Sequence, residues 1–292
     1  MILADLKPLR KQHYPWGLPY SWLAAPDDDL RHVLRICGGA AVQIQHLNDA
    51  MLKRTVDLCK ELSIPLLVQF SPWSKNLVPT GAPLEMYEEI RRFCQWCDAI
   101  VKTGVDVRAV SFDDERYDLF PTAEPMLPYR RMLYDAARSY FPKATIEWYG
   151  HGAVRPAATD TGWSEPAYQL GRDLPTDCLS TSLYRPGELE VQRMTVRKTV
   201  AAAGGKGVVV YLALGAGYKP EWDAFHKWTE RWDYDLLNDR LFGRELNGIP
   251  WYSARPERYA PYDKVPYVVL YPPPAPGAWL EHFKAYVEGA QP

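Results

Sequence analysis

Apolar positions along the chain alternate between a period of two and a period near 3.6, and the two patterns follow one another in pairs. The first strand is expected at Leu18 to Leu23, among Pro15, Pro19 and Pro26. Asp27 to Asp29 open a helix that runs to Cys37 and ends at Gly38 and Gly39. A strand at Ala41 to His46 follows, then a helix capped by Asn48 or Asp49 and reaching Leu62, then a strand at Ile64 to Ser71. Pro83 starts a helix to Thr103, Gly104 stops it, and a strand at Asp106 to Phe112 comes next. The pattern continues with a helix at Leu127 to Tyr140 and a strand at Ala144 to Tyr149. A long loop, His151 to Asp177, leads to a sixth strand at Cys178 to Tyr184.

After a helix from Gly187 to Ala203, the seventh strand is expected at Val208 to Ala213. A helical region at Glu221 to Leu241, an irregular segment to Lys264, a strand at Tyr267 to Tyr271 and a helix at Trp279 to Glu288 complete the chain. Eight strands alternating with helices, without a composition shift that would mark a linker, predict a single α/β domain. Residues 1–292 would then form one (β/α)8 TIM barrel with elaborated βα loops. The competing open doubly wound sheet would carry a Gly-x-Gly-x-x-Gly turn after its first strand or a phosphate loop, and neither occurs.

Side chains alternate across a strand, so each predicted strand divides into two faces. Val42 and Ile44, Leu66, Val68 and Phe70, Val110 and Phe112, and Ile146 and Trp148 form helix-facing sets. The other face is polar on strands two to six: Gln43 and Gln45, Gln69 and Ser71, Ser111, Asp113 and Glu115, Thr145, Glu147 and Tyr149, and Ser180, Ser182 and Tyr184. Each buried polar group costs about 1–3 kcal/mol when unsatisfied, so a converging set of this size implies a dense internal network or a lined cavity.

Composition narrows the function classes. Thirty-four basic and 36 acidic side chains leave a formal net charge of -2, which gives no electrostatic footprint for nucleic acid or an anionic membrane. The longest apolar run, Val208 to Ala216, is far shorter than the roughly 20 residues a spanning helix needs, and the charged first ten residues do not read as a signal peptide. A cytoplasmic location is the expectation. Five cysteines make no disulfide framework, and Cys94 and Cys97 read as packing positions one helical turn apart. Eleven Trp and 19 Tyr against 8 Phe favour half-wet surfaces and sugar rings over a dry core.

Candidate chemistry gathers where the fourth strand ends in Asp113, Asp114 and Glu115. Glu115 suits a general acid, because desolvation and its acidic neighbours would raise its pKa and keep it protonated near neutral pH. Glu147 is the candidate second carboxylate, as nucleophile or as base for water; a buried ion pair is the structural alternative. Gln45, Gln69 and His151, with Trp73, Tyr149 and Tyr218 as stacking platforms at strand ends, are the candidate substrate-binding residues.

Asp113-x-Glu115 resembles the end of the chitinase-type (family 18) motif, and Asp114-Glu115 resembles the Asp-Glu of the hexosaminidases. Tyr184 is similar to the Tyr that those chitinases place at the end of the sixth strand. The resemblance implies a glycoside hydrolase in which Glu115 is the acid and the Asp orients the substrate's 2-acetamido group, which acts as nucleophile. Ala109 stands where the full chitinase motif has an Asp, and the seventh strand lacks the Glu nucleophile of the Asn-Glu barrel glycosidases. The implied partner is a carbohydrate substrate, with no cofactor and no metal. A metal-dependent barrel using His46, His151, Asp113 and Glu115, or a non-catalytic carbohydrate-binding barrel, are the alternatives.

Overall fold

A computed structural model describes residues 13–15, 25–44, 48–71, 83–113, 127–149, 175–183, 199–200, 203–213, 245–246, 249–250 and 264–271. Eight strands form one sheet: β1 His13–Pro15, β2 Ala40–Gln43, β3 Leu66–Phe70, β4 Val107–Asp113, β5 Thr145–Tyr149, β6 Cys178–Leu183, β7 Gly207–Ala213 and β8 Val268–Tyr271. The order across the sheet is β1-β8-β7-β6-β5-β4-β3-β2, and every ladder is parallel. The two end strands, β1 and β2, approach with Cα atoms within 8 Å, bringing the sheet round on itself as a (β/α)8 barrel. A separate antiparallel pair joins Glu245–Leu246 to Ile249–Pro250.

Four helices are described: α1 Asp27–Cys37, α2 Asp49–Leu62, α3 Pro83–Thr103 and α4 Leu127–Tyr140. Their ends follow from local chemistry. Asn48 Oδ1 accepts the Met51 N–H at 2.9 Å and caps α2, whereas α1 begins after Pro26 with no side-chain cap. Gly38 and Gly104 take the left-handed conformation, φ 70° and 69°, that closes α1 and α3.

One expectation is corrected. The strand between β8 and β2 is His13–Pro15, upstream of the predicted first strand, which lies outside the described residues, as do the predicted helices at 221–241 and 279–288. The fourth strand extends one residue further than expected, to Asp113.

The two faces of the sheet separate as the alternation requires. Val42, Val68, Val110, Phe112, Ile146 and Trp148 pack outward with Leu30, Val56, Phe93 and Leu133 of the helices in the main core. Burying each such side chain contributes about 1.5–3 kcal/mol. Phe112 and Trp148 stack with ring centroids 4.6 Å apart, and the fully buried Arg130 lies over the Trp148 ring at 5.6 Å. Inward, Tyr14, Ala41, Leu67, Ala109, Val209 and Val269 fill the barrel axis. No helix among the described residues is long and apolar enough to cross a membrane.

At the N-terminal end of the barrel, Asp177 locks three elements together. Its Oδ2 accepts the Ile146 N–H at 2.8 Å and the Arg138 guanidinium at 2.5 Å, while Arg138 also donates to the Ala144 carbonyl. Gly207 opens β7 here, where an added Cβ would meet Cys178 Sγ at 2.6 Å and the Lys264 carbonyl at 3.2 Å. Gly207→Ala is therefore expected to lower stability by about 1–3 kcal/mol through overpacking. Urea denaturation checks this, with a smaller cost expected in a Cys178→Ala background; an unchanged midpoint would contradict the close packing.

Candidate functional site

The register of β2 to β5 builds a polar row across the inside of the barrel. Gln43 pairs with Gln69, Gln69 with Ser111, and Ser111 with Glu147, so four polar side chains stand on the same face of four adjacent strands. One pleat nearer the C-terminal end, Asp113 is in register with Tyr149. Active sites of this fold sit at that end of the strands. Gln43, Gln69, Ser111 and Glu147 are all buried, while Asp113 is half-buried at the rim.

Asp113 Oδ2 accepts the Ser71 hydroxyl at 2.8 Å, a bond that ties the end of β4 to the residue just beyond β3. Glu147 is fully enclosed and makes no ion pair among the described residues. Its Oε2 accepts the Tyr267 hydroxyl at 3.1 Å. Tyr211 and Ser111 bond to each other at 2.9 Å, and both hydroxyls are also hydrogen-bonding neighbours of the Glu147 carboxyl. Burial removes the water that would stabilise a carboxylate, and it raises the Glu147 pKa from 4.5 to about 8. The hydroxyls of Tyr211, Tyr267 and Ser111 offset part of that rise, and the charge of Asp113 adds to it. Glu147 therefore carries its proton at neutral pH.

Phenols from the far side complete the interior. Tyr211 on β7 packs against Tyr149 with centroids 4.5 Å apart, and Tyr267 meets Tyr14 of β1 edge-on at 5.2 Å. Burial raises the pKa of both Tyr211 and Tyr267, so they remain proton donors at any ordinary pH. The polar lining thus continues past strands two to six onto the seventh, the eighth and the first. Tyr211 and Tyr267 were not among the sequence candidates. Their signal was the period-two position: Tyr211 follows Val209 on β7, and Tyr267 stands just before β8, two residues ahead of Val269.

Of the predicted site residues, the structure brings Gln69, Asp113, Glu147 and Tyr149 to one inner surface on β3, β4 and β5. Glu115, Asp114, Tyr184, Gln45, Trp73, His151 and Tyr218 lie outside the described residues, and so does His46. Among the described residues Glu147 meets hydroxyls, Tyr267 foremost, and no cation. No group of three His, Cys, Asp or Glu side chains suited to a metal is present among the described residues. Cys94 and Cys97 sit on α3 as free thiols, Cys97 buried and Cys94 half-buried, as packing positions require.

No protein-family profile and no curated sequence matches the chain. Solved structures do. A xylanase from Paenibacillus barcinonensis superposes with a TM-score of 0.57 at 12% identity, covering 96% of this chain and 91% of its own. A GH26 beta-mannanase from Bacteroides ovatus gives 0.53 at 15% identity, covering 97% and 89%. A psychrophilic GH10 endo-beta-1,4-xylanase gives 0.53 at 12% identity, covering 91% and 87%. At these identities the likeness is one of fold, a (β/α)8 barrel.

The Glu147 pKa predicts a pH dependence of stability. Below pH 4.5 the carboxyl is protonated folded and unfolded alike. Between 4.5 and about 8 only the unfolded chain releases the proton, so stability falls as pH rises, by about 1.4 kcal/mol per unit for this group, and levels off above 8. In Glu147→Gln that component of the slope is expected to vanish. Urea titrations from pH 5 to 8 on both proteins measure it, and parallel profiles would contradict the raised pKa.

Proposed function

We propose that the chain is a glycoside hydrolase in which residues 1–292 act as one catalytic barrel on an oligo- or polysaccharide bound at the C-terminal mouth. The observation that carries the reading is Asp113: a half-buried carboxylate at the end of β4, held by Ser71, with its side chain on the inner face. Glu115 follows two residues later and is assigned the role of general acid, protonating the leaving oxygen. Asp113 orients the substrate or steadies its developing charge. The solved barrels that resemble this chain across most of its length include xylanases and a beta-mannanase, which favours a carbohydrate substrate.

Glu147 enters the mechanism differently from Asp113. A nucleophile or a general base must be ionised and must reach the substrate. Glu147 is uncharged below about pH 8 and fully enclosed, so its role is to hold the inner wall beneath Asp113. With no acid ending the seventh strand at Ala213, the substrate's own 2-acetamido group supplies the nucleophile in this reading.

Turnover on a panel of xylan, mannan and N-acetylglucosamine oligosaccharides tests the proposal. Glu115→Gln is expected to lower kcat by roughly 10²–10⁴-fold with oligosaccharide affinity retained. Asp113→Asn is expected to lower kcat on 2-acetamido substrates while leaving KM nearly unchanged. Undiminished hydrolysis by Glu115→Gln would sink the assignment of the acid. Binding without turnover by the wild-type protein on every glycan would replace the enzyme with a carbohydrate-binding barrel.

A further inference from the structure

The Glu147 carboxyl is 0% exposed and meets no cation among the described residues. Three hydroxyls surround it from three different parts of the barrel: Ser111 of β4, Tyr211 of β7 and Tyr267 just before β8. Tyr267 donates to Oε2 at 3.1 Å, while Ser111 and Tyr211 share one hydrogen bond of 2.9 Å in which either oxygen can be the donor. That bond uses one of the pair's two hydroxyl protons. The other proton is available to the carboxyl, and so are the oxygen lone pairs.

The cluster therefore satisfies Glu147 in both of its protonation states. With its proton on, the acid donates into the Ser111–Tyr211 pair; with its proton off, the pair donates to the carboxylate instead. Hydroxyl protons turn about their C–O bonds, so the exchange requires no strand to move. Burial without a cation favours the first state and the three donors favour the second, which places the transition at about 8.

The other groups around the cluster leave this transition to Glu147. Cys178 of β6, its register partner, together with Tyr211, Tyr267 and the Tyr14 ring that meets Tyr267, have pKa values raised by burial and stay neutral through it. Tyr149, one pleat above, packs on Tyr211, and Gln43 and Gln69 of β2 and β3 carry no charge. From the N-terminal end, Lys206 and Asp177 act on Cys178, and Arg108 and Asp106 act on Tyr14. Toward the mouth stands Asp113, whose charge helps to hold the proton on Glu147.

We propose that Glu147, Ser111, Tyr211 and Tyr267 form a proton switch inside the barrel, which sets whether Asp113 stands above a neutral floor or a negative one. Coupling between two sites is reciprocal. If the charge of Asp113 favours the proton on Glu147, loss of that proton disfavours the charge on Asp113 to the same degree. The switch lies beneath the mouth but does not rest on glycoside hydrolysis, because its readout is a carboxyl signal and not turnover.

Carbon-13 NMR of the full chain, labelled at the glutamate carboxyl carbon and titrated from about pH 4 to 9, is the test. One signal is expected to have its midpoint near 8, far above the ordinary glutamate value of about 4.3, and to be missing from Glu147→Gln. Tyr267→Phe removes a donor to the carboxylate and is expected to move the midpoint up by about one unit, whereas Asp113→Asn removes the neighbouring charge and is expected to move it down. These opposite shifts assign the signal even where Glu147→Gln does not fold. The absence of any glutamate titrating between about pH 7 and 9, or persistence of that signal in Glu147→Gln, would overturn the switch. A midpoint unmoved in Asp113→Asn would overturn its connection to the mouth, and one unmoved in Tyr267→Phe would overturn the role given to the hydroxyls.

Discussion

The stacking of Phe112 on Trp148 decides which way the centre of the barrel faces. These rings occupy register-paired positions on β4 and β5 and are buried against the helices, with Phe93 on one side and Arg130 on the other. Because the side-chain period of a strand is two, sending Phe112 and Trp148 outward obliges Ser111, Asp113, Glu147 and Tyr149 to point inward. A slip of one residue would place a carboxyl in the apolar layer and two large rings on the axis. The polar interior is thus a consequence of the apolar exterior, and the site inherits its geometry from packing that no substrate touches.

An acid obliged to point into a closed barrel has few stable states. Pairing it with a buried cation incurs the desolvation of two charges, which the attraction between them often fails to recover. The chain instead surrounds Glu147 with hydroxyls and leaves the proton on it. The one large buried cation of the described structure, Arg130, lies on the other side of the sheet against Trp148 and cannot serve. A neutral acid also keeps the charge of Asp113 as the only carboxylate charge among the described inner side chains near the rim.

Most of the fold was legible because its signals are local and repeated. The α4 boundaries at Leu127 and Tyr140 coincide with the expected ones, and Gly104 stops α3 by a left-handed turn that few other residues adopt comfortably. The first strand was misplaced for a physical reason. His13–Pro15 is three residues long, too short for alternation to register, and its place in the sheet is set by pairing with Val268–Leu270, some 255 residues away in the chain. The inward polar face was readable from Gln43 to Ser180 because each strand there carries polar groups at alternate positions. Tyr211 escaped notice because its neighbours, Val208 to Val210, are wholly apolar, and a phenol passes for another core residue until the register shows what lies across the barrel.

The two acids of the inner face differ in depth. Asp113 and Glu147 sit on neighbouring strands one pleat apart, yet one is at the rim beside a serine hydroxyl and the other is sealed among phenols. Burial is partial at Asp113 and complete at Glu147, so charge is opposed more strongly one layer down. For Glu147 to act on a substrate, Tyr149 would have to leave its packing against Tyr211 and the carboxyl would have to ionise in an enclosure that resists charge. Both changes oppose the forces that fold the barrel, and Asp113 requires neither.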